Sequence, residues 1–206
     1  MKKLLFCFVL VFLCFFSFSF LIASKTDDIA EYEIKRFCQL VVNATASNYT
    51  MEGIVSSNED TISIDMLQAS NIASQIVSEM EEVFFLIEDG TYQKNDNLYQ
   101  SRLKEMNDQG GVIATIPLGS FLDNAFFMNI GPSIHLKYIT MTYLTSEVIK
   151  EVESYGINHM MIVIILKVTI HLKVATLSIM DEFTKVIEYP LVMEIIQGEI
   201  PQWYQN

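Results

Sequence analysis

The sequence predicts an α+β protein: an N-terminal transmembrane helix, two amphipathic helices and a mostly antiparallel sheet with long C-terminal strands. Three observations predict it. An uncharged, apolar run fills residues 4–23. Apolar residues then recur at helical spacing in two stretches, 26–48 and 67–88. Beyond residue 111 the period drops to two, in runs rich in β-branched side chains. The expected organisation is an anchor over 1–25 and a single extracytoplasmic domain over 26–206. That domain divides into a helical and hairpin part (26–90), a variable linker (91–111) and a β-rich part (112–206).

The anchor follows from length and charge. Twenty residues at ~1.5 Å each match a hydrocarbon core of ~30 Å. Lys2 and Lys3 precede the run, which predicts a cytoplasmic N-terminus and an exported C-terminal domain. A cleaved signal peptide is the rival reading. It needs small residues before the cleavage point, and Leu21 stands there if cleavage follows Ala23. Cys7 and Cys14 lie inside the run as small hydrophobes, which leaves Cys38 alone outside it. One thiol cannot build an internal disulfide framework.

The first helix of the domain begins near Thr26, a capping residue, with Asp27 and Asp28 at the positive end of the helix dipole. Ala30, Ile34, Phe37, Val41 and Thr45 form one face. Two short apolar runs around Ser57 and Asp60 then suggest a small β-hairpin. In the second helix Ala69, Ile72, Ala73, Ile76, Met80, Val83, Phe84 and Ile87 make a stripe that reads as core. Asp89-Gly90 ends it. Residues 91–111 are polar with few apolar anchors and read as a linker or an irregular excursion, with room for a hidden strand or helix.

The β-rich part opens with a strand ended by Pro117 and Gly119. Long strands are expected from Ile134 to about Lys150 and from Ile157 to Val174. In the latter, Leu166, Val168, Ile170, Leu172 and Val174 alternate with Lys167, Thr169, His171 and Lys173. A last strand over 177–197 carries Pro190 in its middle, which places it at a sheet edge or breaks it in two.

Charge and motifs exclude several functions. Acidic residues outnumber basic ones, 25 to 13, and no Lys/Arg cluster is visible in the sequence, which argues against nucleic acid as a partner. No nucleophile motif and no metal signature is present, and no cofactor is expected. His159 and His171 would share a strand face about 40 Å apart and cannot hold one ion. The stretch IPLGSFLDNAFFMNIGPSI, residues 116–134, is the most unusual in the chain. Its glycines are too dispersed for a phosphate cradle, and a strand rather than a helix follows. Pro117, Gly119, Gly131 and Pro132 therefore mark a structural corner or a partner-binding loop. Phe126 and Phe127 read first as core, and as a contact surface if exposed.

Several motifs, taken in order, resemble the YunB family of sporulation proteins from endospore-forming bacteria. They are IPLG at 116–119, NIGPSI at 129–134, YGIN at 155–158 and the closing YPLVMEIIQGEIPQWYQN. The N-terminal pieces fit in the same order: one anchor, a helix, a hairpin and a second helix. One departure is Lys173-Val174-Ala175-Thr176, where the family carries a proline. The resemblance implies a membrane-anchored protein needed for spore formation, in mother-cell or forespore membranes, with no established enzymatic activity. It supplies no catalytic residues. On that basis the expected role is a non-enzymatic assembly or interaction module. It would touch the membrane through residues 4–23 and unknown protein partners in the spore envelope. A hydrolase acting on cell wall, with a buried carboxylate pair, and a lipid- or ligand-binding domain with a cavity beneath the sheet are the alternatives.

Overall fold

The computed structural model describes residues 28–58, 61–121, 126, 129–154, 159–176 and 179–197. The expected anchor over 1–25 lies outside these residues, and no helix among those described is long and apolar enough to cross a membrane. Helix α1 covers residues 28–46. A two-stranded hairpin follows, β1 (Val55–Asn58) and β2 (Thr61–Ile64), then α2 (Met66–Glu88) and α3 (Leu98–Asp108). The chain continues as β3 (Val112–Pro117), a 3-10 turn (Leu118–Phe121), β4 (Ser133–Ser154), β5 (His159–Thr176) and β6 (Ile179–Gln197). The last four strands form one antiparallel sheet in sequence order. The class is α+β, as the sequence predicts.

Helices α1 and α2 pack on one face of the sheet. The predicted stripe of α1 is buried throughout, and so are seven residues of α2, among them Ile76, Met80 and Phe84. They meet Leu166, Val168, Ile170, Leu172 and Val174, the alternate residues of the central strand β5, which are fully buried in the same cluster. Three rings join the two layers: Phe37 of α1, Phe84 of α2 and Tyr138 of β4, with centroids 5.4 to 5.9 Å apart. The Tyr138 hydroxyl donates to the Phe84 carbonyl at 3.3 Å, and burial raises its pKa. Lys185, on the inner face of β6, is buried and pairs with Glu31 of α1.

Both helix ends in this region close as the sequence chemistry requires. Asp65 caps α2 by accepting from the Gln68 N–H at 2.8 Å. At the other end Thr91 N–H donates to the Leu86 carbonyl and Gly90 N–H to that of Ile87, with Gly90 at φ +70°.

Two expectations need correction. The described residues hold three α-helices, because the stretch read as a linker contains α3. Its apolar anchor is essentially Leu103, with Met106 packed beside it, too few to create a readable period. Polar side chains hold it instead. Asn107 accepts from the Tyr92 N–H at 3.4 Å and donates to the carbonyls of Gly90 and Tyr92 at 3.2 and 3.3 Å. The second correction concerns β4, which runs to 22 residues, past its expected end near Lys150, whereas β5 and β6 keep close to their expected lengths at 18 and 19 residues. At about 3.3 Å per residue they are far longer than an ordinary strand of about 5–6 residues. Pro190 sits in the edge strand β6, at a register shift where Ile165 pairs with Pro190 and Ile164 with Val192. Leu191 is the extra residue, so the proline's missing N–H falls at a bulge.

Candidate functional site

The predicted corner is a tight neck. Leu118 N–H donates to the Pro132 carbonyl and Gly119 N–H to the Ile130 carbonyl, both at 2.9 Å. Gly131 adopts φ +102°, a conformation that side-chain-bearing residues rarely enter. These bonds bring Pro117, Gly119, Gly131 and Pro132 together at the turn between β3 and β4, which pair antiparallel from Ser133 onward. Phe126 is 86% exposed, so the core reading does not hold for it. Phe127 lies outside the described residues.

A groove of about 480 Å³ lies close by, between α1, α3 and β3. Sequence reading missed it because α3 was hidden. Helix α1 contributes Glu33, Arg36, Phe37, Gln39, Leu40 and Asn43. Helix α3 contributes Arg102, Glu105 and Met106, followed by its C-cap residue Gln109, at the spacing of three, four and seven that also relates Glu33, Arg36, Phe37 and Leu40. That spacing puts each set on one helix face. Strand β3 supplies residues 112–115. The volume falls in the usual range of ~300–1,000 Å³ for ligand pockets.

Its chemistry suits recognition. The Arg36 guanidinium donates to both oxygens of Glu33, at 3.1 and 3.0 Å. Among the described residues, no carboxylate pairs with Arg102. Glu33 is partly exposed and Glu105 is exposed. Neither is the buried carboxylate that acid–base chemistry on a cell-wall sugar would need. The floor, Phe37, Leu40 and Met106, is apolar.

Other titratable groups have structural places. Burial pushes the Cys38 thiol up to about 12, where it is unreactive. His171 stacks on Tyr143 with ring centroids 3.7 Å apart and meets the Thr184 hydroxyl at 2.9 Å. Among the described residues no cluster of three His, Cys, Asp or Glu side chains could hold a metal ion. A polar knot ties the 91–97 segment to α2: Glu79 accepts from Lys94 at 2.8 Å and from Asn48 at 3.0 Å. The bond to Glu79 raises the Lys94 pKa.

Comparison with known proteins points in one direction. Residues 113–203 match the family described as Sporulation protein YunB. The Sporulation protein YunB of Bacillus subtilis (strain 168) is 24% identical over 191 residues, covering 87% of this chain and 70% of that protein. No solved structure matches the chain. The family match begins inside β3 and takes in the corner and the three long strands.

Proposed function

From the premise that this chain belongs, over residues 113–203, to the YunB family of sporulation proteins, we propose that it serves spore formation as an envelope assembly module. The family match is the observation that carries the sporulation role. The assembly role draws its support from the sheet. Among the described residues neither of its edges, β3 and β6, has a strand partner, and such edges are templates for pairing with another chain. Near the end of β6, Met193 and Ile195 are 62% and 53% exposed. Residues 4–23 hold the protein in a membrane of the sporulating cell, with the lysines inside and the sheet domain outside. There it meets protein partners of the spore envelope.

Deletion of the gene tests the role. Heat-resistant spore counts fall while vegetative growth stays normal. Normal spore counts in the deletion strain would refute it. Fractionation tests the anchor: the intact chain stays with membranes, and recovery of a mature form starting near Ser24 would overturn that part.

A further inference from the structure

The groove has a specific occupant in view. Resting on the reading of the domain as an interaction module, we propose that it receives a short extended segment of a partner protein. The segment adds to β3 as a fifth strand and offers an acidic side chain to Arg102.

The backbone of β3 is set up for this. In an antiparallel pair, hydrogen-bonding residues alternate with residues whose N–H and C=O point away. Leu118 donates to Pro132, and the register continues through Ile116 with Ile134 and Ala114 with Leu136. Those even-numbered residues therefore face β4. Thr115 turns its N–H and C=O to the open side, and Ile113 sits at the register shift between Val112 and Ala114. Pro117 obeys the same rule, since its missing N–H falls on the open side. Thr115 lines the groove, so its outward-facing N–H and C=O open into it.

Charge selects the occupant. The chain has a formal net charge of −12, yet both of its arginines, Arg36 and Arg102, line this one groove. Glu33 occupies Arg36, and Arg102 is left to meet a carboxylate from outside. A planar guanidinium fork suits that group. An apolar neighbour on the incoming strand would rest on Phe37, Leu40 and Met106. Length argues against a second copy of this chain. Its other free edge, β6, has 19 residues, whereas the groove exposes only residues 112–115 of β3. A short segment fits between the helices and a long, flanked strand does not.

The test places the photo-crosslinking residue p-benzoylphenylalanine at Gln109 of the full chain, in sporulating cells. Irradiation is expected to capture one partner segment with an Asp or Glu among alternating apolar residues. Arg102→Glu should lower the yield about tenfold or more, as expected for truncating a close charge pair. Changing the partner's acidic residue to Arg should restore it. The thermal midpoint of Arg102→Glu controls for folding, and Arg102→Gln replaces it if that variant unfolds. Capture of a second copy of this chain, capture of a segment with no acidic residue, no capture at all, or an unchanged yield in a folded variant each overturn the proposal. The two readings fail separately. Normal spores after deletion refute the sporulation role. Reduced spores after deletion, with no groove crosslink and normal spores in Arg102→Glu, refute the groove alone.

Discussion

Gly131 shows how much one backbone angle can decide. Its φ of +102° lets the chain re-enter β4 directly beneath the Leu118 and Gly119 bonds. A methyl group added there would meet the Leu118 side chain at an ordinary 3.6 Å, so space is not the obstacle. The backbone is. Gly131→Ala is expected to lose about 1–2 kcal/mol, measured by urea unfolding of the full chain. At the same scale, Glu31 makes stability depend on pH. Its hydrogen bond to Lys185, then the ammonium's charge, holds its carboxyl below the ordinary value. The folded pKa is thus the lower one, and the unfolded chain takes up the proton first. The contribution is complete above the ordinary carboxylate range and is lost as pH falls through the depressed value. Glu31→Gln should therefore lower the unfolding midpoint at neutral pH, with the gap to the parent closing in acid. A gap that persists unchanged in acid would show that the ion pair is not its source.

At the scale of the element, α3 depends on a side chain more than on its apolar content. Leu103 alone is buried among its apolar residues, and Asn107 makes three bonds to the backbone of Gly90 and Tyr92. Asn107→Ala is expected to cost about 2 kcal/mol, since two carbonyls and one N–H lose their partner. Exchange of the Tyr92 amide should speed up more than that of amides in α2. An equal change in both would mean that the whole domain is loosened. The helix also builds one wall of the groove, so this variant should weaken any crosslink from Gln109.

At the scale of the whole molecule, the sheet of the described residues is longer than the helical layer that covers it. The helical layer buries β5 from Ile162 to Val174, but β4 has no buried residue beyond Tyr138. Val152, Met160, Met193 and Ile195 are exposed at the far end. Fewer buried contacts there mean a lower free energy of local opening. Hydrogen exchange is expected to be faster over residues 150–154 and 159–161 than over 164–174. Uniform protection along the three strands would show that this end is covered in solution.

Much of this architecture is legible from the sequence because it is periodic. The period of two fixes which residues of β5 face the helices. The 3.6-residue stripe does the same for α1 and α2, and Pro190 marks an edge strand because it cannot donate to a ladder. The ordered motifs from IPLG onward carry the resemblance to the YunB family. Helix α3 escapes that reading, because its hold comes from Asn107 bonding to backbone, which leaves no period in the hydropathy. Nor can the exposure of Phe126 be read locally, since a phenylalanine in a corner faces core or solvent according to neighbours far away in sequence. The groove is tertiary in the fullest sense. Arg36 and Arg102 lie 66 positions apart, and only the packing of α1 and α3 beside the open edge of β3 puts both guanidiniums where one extended segment could meet them.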